Sequence, residues 1–277
     1  MSHRIVALSI YLFRSITVSL AGLLYMLFAL AFYLIFFDPR QQTPDTDYYI
    51  LVLGLFGSIF AFLVTLSVAA RANRAVHFPF LVRLPSRIEY LTSVMLASMA
   101  FTLGVQIVMG ILAILANGPK FTVGQLAVIP PIWLAGMTLF IVLALHASDL
   151  VASGWSRVYV FGVLAILLYI QSGLGILAEG IAGLTDRLGN ALLTQGWTTV
   201  ANPLFSLGDW IVGAGSDLIQ QFTGFIFWPF TSIASASVAG FFSVAQSFAP
   251  ALLLIYATIL FVLAADLFAA KDLYLTE

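Results

Sequence analysis

Six stretches of the chain run for about 20 residues each with few polar positions. They are Ser15–Phe37, Tyr48–Ala70, Tyr90–Ala116, Leu126–Leu145, Val158–Ala178 and Ala245–Ala265. At ~1.5 Å of rise per residue, each is long enough to cross a ~30 Å hydrocarbon core as a helix. A helix is the form that lets a single segment satisfy its own backbone there. The third stretch is the clearest, because no charge falls between Glu89 and Lys120. The fourth carries Pro130-Pro131 near its start, where proline is harmless in a first turn and kinks the helix deeper in. The first run exceeds the ~7–15 residues of a signal core and ends in Asp38-Pro39-Arg40 without a small-x-small cleavage site. It reads as a retained span.

Two regions fall outside this pattern. Residues 2–14 place His3, Arg4 and Arg14 around an apolar, aromatic run. The pattern fits either a short helix in the membrane interface or an extension of the first span. The segment 181–244 is too long to be a structureless loop in a compact domain. Its first half is punctuated by Asp186, Arg187, Gly189, Asn190, Asn202-Pro203, Asp209 and Asp217. Its second half, Phe222–Val244, has no charge but carries Pro229 beside Trp228 and serines across 232–237. The expectation is an amphipathic stretch followed by a re-entrant or hairpin element, in preference to a seventh span. Such backbone survives at membrane depth where protein or water satisfies it. No internal repeat is evident, and spans one to three do not match four to six in loop length.

Composition agrees with lipid as the solvent. Hydrophobic residues make up 62% and charged residues 8% of 277, and mean hydropathy is +1.08, whereas soluble domains carry about 25% charged residues. The predicted fold is all-α: a polytopic integral membrane helix bundle of about six transmembrane helices, with an extracytoplasmic re-entrant or amphipathic segment before the last. It forms a single transmembrane domain over 1–277. Arg4, Arg14, Arg71, Arg74, Arg83, Arg87, Arg157 and Lys271 fall on one side of a six-span layout, and only Arg40, Lys120 and Arg187 on the other. The positive-inside rule then puts both termini in the cytoplasm of a multi-pass cell (plasma) membrane protein. A net charge of −1 supplies no field to attract nucleic acid. The absence of cysteine removes disulfides and thiolate chemistry.

Few residues of the chain suggest chemistry. Neither Lys120 nor Lys271 follows a G-x-x-x-x-G pattern, so the chain has no phosphate-cradling loop. His3, His77 and His146 are far apart in sequence, and no H-E-x-x-H occurs. His146 and Asp149 could share a helix face, but a metal needs more ligands; a polar helix end in cytoplasmic water explains them better. Glu179, Asp149 and Asp266 sit at predicted span ends. A polar pocket near Gln171, Ser172 and Glu179 is a weaker alternative for Glu179. Gln106 and Gln171 are the mid-depth polar residues, each explained by a hydrogen bond between helices. Ala100 and Gly104 form a small-xxx-small pair, expected to mark close helix packing. An intramembrane enzyme is disfavoured, since no acid, base or nucleophile pair is visible at depth.

The most informative piece is the cytoplasmic loop 71–89, which concentrates Arg71, Arg74, Arg83 and Arg87. Phe78, Phe80, Leu81 and Leu84 are interleaved with them. Arginines alone serve positive-inside anchoring; mixed with aromatic and aliphatic residues they suggest a docking surface. Ser86-Arg87-Ile88-Glu89 fits a capping box that starts the third span. Leu84-Pro85-Ser86-Arg87-Ile88-Glu89-Tyr90-Leu91 resembles the leucine–proline–small–arginine–any–acid–tyrosine–leucine stretch that opens the third span in type-2 ABC transporter permeases. The tail Leu267-Phe268-Ala269-Ala270-Lys271-Asp272-Leu273 is similar to short tails of bacterial members. The resemblance implies a coupling helix in this loop that rests on an ATPase subunit. It makes Arg74, Phe78, Phe80, Arg83, Arg87 and Glu89 the partner-binding residues. It implies a permease subunit of an ATP-driven exporter for a hydrophobic or amphipathic substrate. That subunit would be a homodimer, or a pseudo-dimer with a related permease, in membrane lipid with separate ATP-binding cassette subunits. No cofactor is expected in this chain, ATP being bound by the partner. A structural or assembly subunit of a larger membrane complex is the alternative.

Overall fold

The computed structural model describes residues 2–37, 45–74, 86–116, 118–151 and 155–270, with only the backbone at 2, 155–156 and 169–177. Among these residues there are nine α-helices and no strand. They are α1 Ser2–Thr17, α2 Leu20–Phe36, α3 Thr46–Ala72, α4 Arg87–Leu115, α5 Val123–Ala147, α6 Trp155–Thr194, α7 Thr198–Trp210, α8 Ser216–Ala239 and α9 Ala249–Ala270. A short π-helical stretch, Ile211–Gly215, joins α7 to α8. The protein is an all-α, multi-pass membrane helix bundle. Five described segments are long and apolar enough to cross a membrane: α3, α4, α5, Thr198–Ala239 and Gln246–Ala270; counting α1 and α2 as one bent span makes six.

The first predicted span does not begin at Ser15. Helix α1 runs on to Thr17, and α2 leaves it at 70°. The side chain of Ser19 builds the corner: its hydroxyl donates to Ile16 O (2.6 Å) and accepts from Gly22 N (3.1 Å). Gly22 packs so closely on the preceding turn that a Cβ there would collide with the Ile16 carbonyl oxygen. The 2–14 segment is therefore no straight extension of the first span. It belongs to a separate helix whose Leu8, Leu12 and Ile16 are buried, and it packs along α4, with Phe13 edge-on to Phe101.

The chain divides into two compact units, Met1–Arg157 with Pro229–Glu277, and Val158–Trp228. In the first, α3 is the central helix, against α4 and α5. Aromatic rings fill the α2–α3 seam, including Phe28, Phe32, Phe56 and Phe60. Their polar relatives reach carbonyls across helices: Tyr25 to Leu63 O (2.8 Å), Tyr49 to Gly110 O (2.8 Å) and Trp133 to Ile50 O (3.1 Å). Buried aromatic hydroxyl and indole groups need such partners, and in lipid each is worth about 0.6–2 kcal/mol. Helix α5 opens with a complete capping box, Thr122 with Gln125, and is continuous through Pro130 and Pro131.

In the second unit, α6 continues well past the predicted fifth span. The chain then reverses at Gly196, whose φ of 81° suits glycine. Helix α7 packs back on α6 where Gly208 meets Thr185 and Gly189 meets Phe205. The described part of 181–244 is thus helical almost throughout, and Gly213 (φ −90°, ψ −112°) breaks it between α7 and α8.

Candidate functional site

Four helix ends meet at one end of the first unit. The start of α1 lies beside α4, with Ser93 Oγ donating to Ile5 O (3.3 Å). The end of α3 is tied to the start of α4 by Tyr90 Oη donating to Ala72 O (2.6 Å). The end of α9 joins them through Arg87, whose Nη1 donates to Phe268 O (2.9 Å) and Ala269 O (3.0 Å). The Arg87 guanidinium also lies 6.0 Å from the Phe268 ring centre, within cation–π reach.

The last four carbonyls of any helix lack intrahelical partners and carry the negative end of its dipole. Arg87 places a cation on two of them in α9. On the other side of the loop, Arg71 does the same for α1: its Nη1 donates to Ser15 O (3.2 Å) at the corner before α2. The basic elbow between α3 and α4 is therefore fastened at both roots. One root grips the α1–α2 corner and the other the end of α9.

The six residues expected to form one docking surface divide. Phe78, Phe80 and Arg83 lie outside the described residues. Arg74 is exposed just past the end of α3. Arg87 is turned onto α9. Glu89 is 2% exposed, and its Oε2 has no hydrogen-bond partner among the described residues. The capping box expected over Ser86–Glu89 is replaced by a simple N-cap bond one residue earlier. Ser86 Oγ accepts from Ile88 N (3.2 Å), while the Glu89 side chain is buried in the bundle. Arg71 was missed as a site residue. Its signal was a cation in the last turn of one helix near a serine–glycine corner of another.

Other expectations resolve differently. Gln106 Nε2 donates to Leu53 O (2.9 Å), the interhelical bond foreseen for it; the Gln171 side chain lies outside the described residues. His146 does not reach water: it is buried and its Nε2 pairs with Leu260 O on α9 (2.8 Å). Asp149 instead is exposed and ion-paired with Arg157. Ala100 and Gly104 face outward, and a Cβ on Gly104 would meet nothing. The close approach on α4 is made by Gly57 of α3 against Gln106. No group of three His, Asp or Glu side chains converges among the described residues. What this end of the molecule offers is mechanical linkage between helices. No family model, curated protein or solved structure matches the chain.

Proposed function

We propose that this chain is the membrane subunit of an ATP-driven exporter of the type-2 ABC permease kind. It works as a dimer, of itself or with a related permease, and takes its energy from separate ATP-binding subunits docked on the cytoplasmic elbow after α3. The observation that carries this reading is the double fastening of that elbow. A push on the segment from Arg74 to Ser86 reaches α3 and α4 directly. Through Arg71 it reaches the α1–α2 corner, and through Arg87 the end of α9. A loop that served only as a positive-inside anchor needs no such linkage to distant helices. The docking residues are then Arg74, Phe78, Phe80 and Arg83, while Arg87 and Glu89 act inside the bundle. Low charge at depth suits a hydrophobic or amphipathic cargo.

The test separates docking from linkage. In mild detergent, the wild-type chain should recover an ATP-binding subunit when co-expressed with candidate ones. Arg83→Ala, with Phe78 and Phe80 also replaced by alanine, should lose the partner and keep its thermal stability. Arg87→Ala should keep the partner and lose about 1.5–3 kcal/mol of stability, the usual worth of a charged hydrogen bond. Recovery of no ATP-binding subunit by the wild type, or undiminished recovery by the triple variant, would return the chain to a membrane scaffold without a motor.

A further inference from the structure

We infer that the groove between α3, α5 and the end of α8 holds a hydrocarbon tail of a membrane lipid. The groove encloses about 300 Å³. Its walls come from Gly54 and Ser58 of α3, Gly136 of α5, Ala234 and Ser237 of α8, and Leu253 of α9. Among the described residues no charged side chain lines it.

Depth, chemistry and size together identify the occupant. Ser58 and Gly136 lie near the middle of span-length helices, so the groove sits at hydrocarbon depth. What can enter there is a lipid tail, another helix or an apolar solute. The two hydroxyls in the wall are already engaged by their own helices: Ser58 donates to Gly54 O (2.9 Å) and Ser237 to Ile233 O (2.8 Å). With their donors spent, they offer a polar ligand little. A helix about 10 Å across would fill 300 Å³ within about 4 Å of its length, less than one turn, so the space is too small for a partner helix. A flexible chain one methylene wide fits it. Leu51, Leu55 and Phe230 on the rim are exposed, Leu55 to 57%, which leaves a mouth for a tail to enter. Gly54 and Gly136 let α3 and α5 close up, Gly54 against Trp133 and Gly136 against Ser58, and on the third side Ala234 contributes a single methyl, so the space stays open where that side chain is small. This inference does not depend on the exporter reading.

The experiment uses the full chain in phosphatidylcholine nanodiscs carrying a small fraction of phosphatidylcholine with a diazirine near the end of one acyl tail. After photolysis, adducts are mapped by peptide mass spectrometry. Labelling on the Gly54–Ser58 and Ala234–Ser237 peptides should exceed that at Leu24 and Leu27, two exposed residues of α2. Ala234→Phe, which fills the groove from its exposed edge, should lower the groove labelling several-fold and leave that of α2 unchanged. Leu55→Trp, at the mouth, should do the same and serves if the first variant misfolds. Groove labelling no stronger than that of α2, or unmoved by the folded variants, would overturn the assignment.

Discussion

Gly57 and Gln106 show how tightly single residues are constrained in this bundle. The glycine lets α3 approach until a Cβ would collide with the Gln106 amide, and the amide uses that closeness to reach Leu53 O. Gly57→Ala should therefore lower thermal stability, and Gln106→Ala in the same background should relieve most of the loss. A double-mutant cycle should give a coupling of about 1–2 kcal/mol; a coupling near zero would mean the two do not meet. Glu89 makes the opposite case. Among the described residues one oxygen of its buried carboxyl has no hydrogen-bond partner, and desolvating a carboxylate costs several kcal/mol. Its position in the first turn of α4 returns only about 0.3–1 kcal/mol from the helix dipole. Glu89→Gln should raise the melting temperature in detergent. A fall would show that the charge has a partner that stabilises it.

At the scale of elements, the corner between α1 and α2 is the feature most dependent on local chemistry. Gly22→Ala would force the Ile16 carbonyl aside, and overpacking of this kind costs about 1–3 kcal/mol. The expected readout is a lower melting temperature with the helix content by circular dichroism retained. No change would mean that the corner tolerates a Cβ. This corner also marks the limit of legibility in the sequence. Four of the predicted spans fall on helices α3, α4, α5 and α9 because a long apolar run has one solution in lipid. The corner escaped because hydrophobicity continues straight across Ser15–Phe37, and only Ser19 and Gly22 signal a change of direction. The same limit applies to Arg87 and Glu89. Their types and spacing suggested a surface, but which way each side chain turns follows from helix rotation, and that depends on α1 and α9, remote in sequence. In segment 181–244 the polar residues punctuate helices that continue through them, so composition alone did not fix where each helix begins and ends.

For the whole molecule, the ends of α3 and α4 that flank the basic segment are tied to α1 through Arg71 and to α9 through Arg87, and the proposed function makes that segment the place where a motor docks. The chain contains no cysteine, so a single introduced thiol reports on one place only. Phe80→Cys, modified with a photoactivatable maleimide in native membranes, tests the idea most directly. The proposed docking gives a covalent adduct with an ATP-binding subunit, abolished when the same reagent is placed by Lys120→Cys beyond the other end of α4. An Phe80→Cys thiol that reacts with membrane-impermeant reagents from outside the cell, or that yields no such adduct, would contradict it.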